Sequence, residues 1–237
     1  TEAYSRYAIE SGVYERLRLE NHPAPALTTR LKTELHYILE ADYWKPALRL
    51  LAELDALRCL HPQLVLTEAL WWQVRYLSRW LRYLDTDNYW GHWLLRLEVL
   101  LAWLEPTERG KIGANLQLPK ESIERLKHLA VMEAEIKEKL PECQLISEIV
   151  SLLRHYHPPS LVLLAVRSSK AVRRTLWQYL TQWSQIHAPL NGNDLKAMGL
   201  KPGPLYKEIL DVLLAATLDG EISSPAQAEE LVKKLVH

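Results

Sequence analysis

The chain has 237 residues, of which 48% are hydrophobic, enough apolar material for one large domain or two modest ones. Its 29 lysines and arginines balance 29 aspartates and glutamates, so the formal net charge is zero. A protein that holds nucleic acid over its whole surface is usually basic. Any such contact here has to come from local patches.

Cysteine usage and the start of the chain bear on location. Cys59 and Cys143 show no metal-type spacing, which is typical of a reducing cytosolic compartment. No signal peptide is recognisable, and no apolar run is long enough to span a bilayer. We therefore expect a cytoplasmic protein with no membrane partner. Because the sequence opens on Thr1 without a methionine, we also expect it to be part of a longer polypeptide.

Apolar residues recur at helical spacing along nearly the whole chain, and the breaks coincide with proline, glycine or capping residues. Alternation with period two, which indicates strands, is not sustained. The predicted fold class is all-α, an irregular multi-helix stack with essentially no sheet. In chain order, the predicted helices cover Glu2–Arg18, Thr28–Glu40, Trp44–Leu57, Thr67–Leu84, Trp90–Leu104, Pro106–Asn115, Lys120–Lys139, Leu145–His155, Ser160–Val166, Lys170–Ile186, Asp194–Met198, Leu205–Leu218 and Pro225–Val236.

The segment from Asn191 to Pro204 contains two helix starts close together. Asn193 or Asp194 is predicted to cap a short helix, which Gly199 ends in the left-handed conformation. A Lys-Pro-Gly-Pro bend follows, and Pro204 suits the first turn of the next helix, where a missing N–H costs nothing.

Lysines flank these helix starts, namely Lys196, Lys201 and Lys207. Helix N-termini present backbone N–H groups to anions, so a phosphate would be well received there, with Gly203 allowing close approach. The alternative is a well-capped helix-turn-helix whose lysines are only solvated.

A second basic group precedes this segment. Arg167, Lys170 and Arg174, with Arg173 beside them, advance by three or four positions around a helix start. The spacing is compatible with a phosphate contact and equally with an ordinary solvated face. A similar row is formed by Arg75, Arg79 and Arg82.

Two segments of the sequence, one near each end of the chain, resemble sequences of a known family. Asn191-Gly-Asn-Asp-Leu, Gly199-Leu-Lys-Pro-Gly-Pro and Leu218-Asp-Gly-Glu-Ile, in this order, are similar to the C-terminal segment of bacterial class II tRNA nucleotidyltransferases, the family of CCA-adding enzymes and related poly(A) polymerases. Near the other end, the segment from Ala26 to Leu35 and the leucine-rich stretch before Pro62 resemble the family's neck. Arg30 and Glu34 match the neck pattern, whereas Thr29 stands where the family usually has a glutamate.

The resemblance implies a catalytic head followed by neck, body and tail. It divides this chain into neck-like helices over residues 1–65, a helical body over 66–187 and a tail over 188–237. The implied function is to position tRNA, or another structured RNA, by its acceptor stem and elbow for 3′-end addition by the head. The residues assigned to RNA by this reading are Lys196, Lys201, Gly203, Lys207, Arg167, Lys170, Arg173 and Arg174; Arg30 and Glu34 are expected to brace the neck.

Catalysis in this family needs a phosphate loop and paired aspartates on a strand, and neither is recognisable in this sequence. The most similar pair of aspartates, in Asp85-Thr86-Asp87, lies between two helical patterns and is predicted to form a turn. No catalytic or metal-ligating residue is therefore assigned, and Mg²⁺ with CTP or ATP is expected only at the missing head. Whether the chain counts as an enzyme stays open, as do its oligomeric state and the nucleotides its parent adds; no DNA partner is expected.

A helical scaffold that binds protein partners is the alternative function. It predicts an exposed groove lined by apolar or tryptophan side chains.

Overall fold

A computed structural model describes residues 25–200 and 203–236, and it confirms the predicted all-α fold. Among these residues there is no β-strand. The described residues form twelve α-helices: α1 (Pro25–Glu40), α2 (Trp44–Glu53), α3 (Glu68–Leu84), α4 (His92–Ala102), α5 (Pro106–Asn115), α6 (Lys120–Lys139), α7 (Ile146–Leu153), α8 (Pro158–Arg167), α9 (Lys170–Thr181), α10 (Gly192–Ala197), α11 (Pro204–Leu218) and α12 (Pro225–Val236). The helix predicted over Glu2–Arg18 lies outside the described residues. No helix of the described part combines the length and the apolar character that crossing a membrane requires.

The chain divides into two compact units. Of the described residues, the first unit contains residues 25–133 together with Pro159–Ser168, and the second contains Ala134–Pro158 and those from Ser169 onward. The division of the sequence at residues 65 and 187 follows the family resemblance rather than compactness, and it stays a prediction.

Helix α4 is the centre of the first unit. Every residue from Leu94 to Ala102 is buried, and the helix packs against α1 and α3. Apart from Arg96 and Glu98, this stretch is apolar on all sides, and such a helix has to be enclosed by other helices. This explains why α4 lies at the middle of the unit rather than on its surface.

Two charged residues are buried within α4 and are held by specific partners. Glu98 accepts hydrogen bonds on both oxygens from Arg125 of α6, at 2.7 and 2.9 Å. Arg96 donates to the backbone oxygen of Leu39 and to the hydroxyl of Ser78, at 2.5 and 3.1 Å. Buried charged groups are tolerated only when an opposite charge or hydrogen bonds compensate for the lost water. These contacts tie α4 to α1, α3 and α6.

The turn between α3 and α4 is organised by Asp85, as predicted. Its two carboxylate oxygens accept from the backbone N–H groups of Tyr89 and Trp90, at 3.0 and 2.9 Å. Gly91 then adopts a left-handed conformation, with φ of 70°, directly before α4 begins at His92 rather than at Trp90. The aspartate therefore shapes the turn between the two helices.

The second unit is built around α11. This helix packs against α7, α10 and α12, and its buried side chains share one apolar cluster with those of its neighbours. The members of that cluster are Leu190, Leu195, Ile209, Leu213, Ala216, Ile222, Ala228 and Val232.

Two predicted helices end earlier than expected. The helix predicted over Trp44–Leu57 ends at Glu53, because Asp55 takes a left-handed conformation with φ of 57° and a short 3₁₀ turn follows. The helix predicted to reach Ile186 ends at Thr181, and a 3₁₀ turn covers Trp183–Gln185. In both cases leucine and tryptophan continue the apolar pattern beyond the end of the regular helix, so periodicity alone did not reveal it.

Candidate nucleic-acid interface

The first of the two helix starts in the tail segment is capped by Asn191, not by Asn193 or Asp194. The Asn191 side chain accepts from the backbone N–H of Asn193 at 2.8 Å, and Asp194 accepts from the N–H of Asn191 at 2.8 Å. This is a reciprocal capping box, so the helix begins at Gly192 instead of at Asp194. The predicted start was wrong by two residues because Asp194 lies inside the helix, where its carboxylate accepts from the backbone N–H of the capping residue Asn191.

The turn that follows has the predicted glycine and proline roles. Gly199 is left-handed, with φ of 87°, and Pro204 occupies the first turn of α11. The Tyr206 hydroxyl donates to the backbone oxygen of Leu200 at 2.8 Å and so ties the turn to α11. Lys201 lies outside the described residues.

The start of α11 is open toward solvent. Gly203 is exposed and extended, and none of the described side chains caps this helix start. Lys207 is exposed at the end of the first turn, which carries no acidic residue, and Glu208 follows it. Lys196, in the last turn of α10, is also exposed, and neither lysine forms a salt bridge with a described residue.

Helix α9 starts in a similar way. The Ser169 side chain caps it by accepting from the N–H of Val172, and the first turn contains no acidic residue. Lys170 and Arg174 are exposed, whereas Arg173 is half-buried. Positive side chains at a helix N-terminus oppose the helix dipole, so this arrangement is favourable only if an anion joins it.

Arg167 differs from the three basic residues with which sequence spacing grouped it. It belongs to the first unit and forms a salt bridge with Glu133 there, while Lys170, Arg173 and Arg174 belong to the second unit. Its side chain is only 17% exposed. A structural role is therefore already present at this position, and its assignment to RNA stays a prediction.

The neck-like pair lies on α1. Arg30 and Glu34 are both exposed, and their bracing role stays a prediction. At the position where the family usually has glutamate, the Thr29 hydroxyl donates to the side-chain oxygen of Gln117 at 3.3 Å. Lys32 donates to the backbone oxygen of Gln117 at 3.1 Å. This face of α1 thus anchors the loop after α5.

The tail motif contains a helix-capping residue, Asp219, that the sequence did not reveal. Asp219 accepts from both the backbone N–H and the hydroxyl of Ser147, at 2.9 and 2.6 Å, and so caps the start of α7. Gly220 beside it is left-handed, with φ of 77°. The Leu-Asp-Gly-Glu-Ile sequence therefore has a structural role. It ends α11, and its aspartate holds the start of α7 against that helix. This role could not be predicted from the sequence, because Ser147 lies 72 residues away along the chain.

A metal site is not formed by the described residues. Nowhere in that part of the chain do three histidine, cysteine, aspartate or glutamate side chains meet in a group that could hold a metal ion.

No family model matches the chain. Among curated proteins, it is 29% identical over 205 residues to an A-adding tRNA nucleotidyltransferase of Geobacter sulfurreducens, a match that covers 82% of this chain and 23% of that protein. Its fold is similar to a CCA-adding enzyme solved with CTP, with a TM-score of 0.67 at 20% identity, and to a Thermotoga maritima CCA-adding enzyme complexed with tRNA, with a TM-score of 0.67 at 19% identity.

The coverage of these matches is unequal. They cover 100% and 98% of this chain but only 56% and 55% of the two solved chains. The chain thus spans about half of the solved relatives and less than a quarter of the curated one, which is consistent with a C-terminal portion. At such identities the solved structures establish the fold, and together with the curated relative they confirm the resemblance drawn from the sequence: this chain is similar to part of the tRNA nucleotidyltransferases.

Proposed function

We propose that this chain is the RNA-binding portion of a CCA-adding or A-adding tRNA nucleotidyltransferase, or of a related poly(A) polymerase. Its role is to hold tRNA by the acceptor stem and elbow, so that the 3′ end reaches a catalytic head outside this sequence. Mg²⁺ and CTP or ATP belong to that head in this proposal, and the location is the cytoplasm. The observation that carries it is the fold that 98% of this chain shares with 55% of a CCA-adding enzyme solved in complex with tRNA.

The second unit supplies surfaces suited to phosphate. Two of its helices, α9 and α11, begin with lysine or arginine side chains and without acidic ones. Each helix start combines backbone N–H groups with mobile cations, which is how proteins contact nucleic-acid backbones without reading sequence. Recognition of A-form RNA relies largely on such shape and phosphate contacts.

Removal of the two exposed tail lysines tests the surface. In the double variant Lys196→Gln, Lys207→Gln, we expect tRNA affinity to fall about tenfold and the slope of log affinity against log salt to become shallower by roughly two. The measurement is a fluorescence titration of labelled tRNA at several salt concentrations. Lys233→Gln, Lys234→Gln removes the same charge from the exposed last turn of α12 and serves as the control.

The outcomes separate the alternatives. Equal affinity and salt slope for the tail variant and the control variant would falsify the tail assignment. If the chain binds no tRNA but retains a stoichiometric protein partner, the scaffold function replaces the RNA function.

A further inference from the structure

A basic pocket in the first unit is not part of the proposed tail surface. Its volume is about 360 Å³, and it is formed by the end of α1, the start of α2, one face of α3 and the start of α4. The residues whose charges matter are Lys45, Arg75, Arg79, Arg82, Arg96 and, on the acidic side, Glu40 and Asp42. We call this the α3 arginine pocket.

One wall of the pocket is the arginine row of α3. Arg75, Arg79 and Arg82 are spaced by four and three residues, which places them on one side of the helix. All three are exposed, and no salt bridge joins any of them to a described residue. Arg75 lies 5.9 Å from the ring of Trp71, a contact that leaves its N–H groups available.

The inner end of the pocket carries a fixed positive charge. Arg96 is only 7% exposed, and its contacts to Leu39 and Ser78 hold the guanidinium in place. Burial lowers the pKa of Arg96, Glu40 opposes that shift, and the nearby charge of Arg82 adds to it. The guanidinium groups of Arg82 and Arg96 therefore repel each other, and an anion bound between them would relieve this repulsion.

The acidic residues do not neutralise the pocket. Both oxygens of Glu40 are used, one by the side-chain amide of Asn88 at 2.5 Å and the other by the backbone N–H of Trp93 at 3.1 Å. Asp42 is exposed. Five basic side chains face two acidic ones, which leaves an excess of three positive charges.

We propose that the α3 arginine pocket is a phosphate-binding site, in which Lys45, Arg79 and Arg82 contact the ligand and Arg96 supplies a fixed charge behind them. A guanidinium group can donate two parallel hydrogen bonds to phosphate oxygens, and two guanidinium groups with one ammonium group suit a polyphosphate or a deeply held backbone phosphate. The ligand class is a phosphate ester or anhydride, carried either by RNA or by a free nucleotide. This inference does not rest on the proposed tail function, because the site lies in the other unit and the phosphate is recognised whatever carries it.

The test uses the whole chain with Arg79→Gln, Arg82→Gln as the pocket variant. Arg58→Gln, Lys111→Gln removes two exposed charges of the same unit outside the pocket and is the matched control. Inorganic pyrophosphate and ATP are titrated by calorimetry, and tRNA by fluorescence. The tail variant Lys196→Gln, Lys207→Gln is measured in parallel and is expected to retain pyrophosphate binding.

We expect the pocket variant to lose at least tenfold in affinity for one of these probes while the control retains it. Loss confined to pyrophosphate and ATP identifies a free nucleotide as the source, and loss of tRNA affinity identifies RNA. The proposal is overturned if the pocket variant and the control bind all three probes alike, including the case in which neither they nor the wild type bind any. Because the tail variant reports separately, either site can fail without the other.

Discussion

At the residue scale, the buried pair of Glu98 and Arg125 is the contact most sensitive to substitution. The Glu98 side chain is fully enclosed and that of Arg125 is 11% exposed. A desolvated carboxylate or guanidinium is stable only with its partner, so deletion of one member leaves a buried charge without compensation. Sequence spacing did not disclose this pair, because 27 residues separate its members and glutamate on an apolar helix gives no indication of where its partner lies.

Glu98→Ala is expected to lower the free energy of unfolding by about 3–5 kcal/mol. The double variant Glu98→Met, Arg125→Met should lose much less, because no unpaired charge remains in the core. Urea denaturation followed by tryptophan fluorescence measures both, with Arg58→Met at an exposed pair as a control that should change little. Equal destabilisation by the single and double variants would show that packing, not charge, dominates at this position.

At the element scale, side-chain caps fix the starts of helices in both units. Thr67 and Ser169, which the sequence pattern placed directly before or at the helix starts, do cap α3 and α9 through their hydroxyls. Such local signals are readable because donor and acceptor lie three residues apart. Asp219 is different: it caps α7 from the end of α11, and only the tertiary structure brings the two elements together.

Asp219→Ala is expected to destabilise the second unit by about 1–2 kcal/mol, since two donors at the start of α7 lose their acceptor. Asp219→Asn keeps one acceptor oxygen and should lose less. Hydrogen exchange of the α7 and α11 amides, together with chemical denaturation, locates the effect. Unchanged protection of α7 in Asp219→Ala would argue against the capping role.

Tyr156 links the segment after α7 to α6 by donating to Glu135 at 2.5 Å. Burial first, then this hydrogen bond and the charge of Glu135, raise the pKa of the Tyr156 hydroxyl to about 12. The unfolded chain ionises this group near pH ~10. The raised folded-state pKa means that its stabilising contribution is complete below about pH 10 and is lost as the pH rises toward 12.

The absorbance of ionised tyrosine at alkaline pH, wild type minus Tyr156→Phe, isolates this group. We expect a midpoint near 12, which Glu135→Gln should shift downward because the neighbouring negative charge is removed. A midpoint at the ordinary value of about 10 in the wild type would contradict the contact.

At the scale of the whole molecule, zero net charge confines anion binding to places where basic residues are concentrated. The second unit has such places at the starts of α9 and α11, and the first unit has one in the α3 arginine pocket. The arginine row of α3 was visible in the sequence, but Lys45 and Arg96 join it only through tertiary packing. Conversely, Arg167 looked like part of a basic row and is engaged by Glu133, a partner that spacing could not indicate.

The most direct test of the account is the affinity of the unaltered chain for intact tRNA, compared with an unstructured RNA of equal length, over a series of salt concentrations. We predict tighter binding of the folded tRNA at every salt concentration and a linear fall of log affinity with log salt, since phosphates held in a folded shape provide the contacts. Equal affinity for the two RNAs, or no binding to tRNA at low salt, would contradict the proposal that this chain positions tRNA.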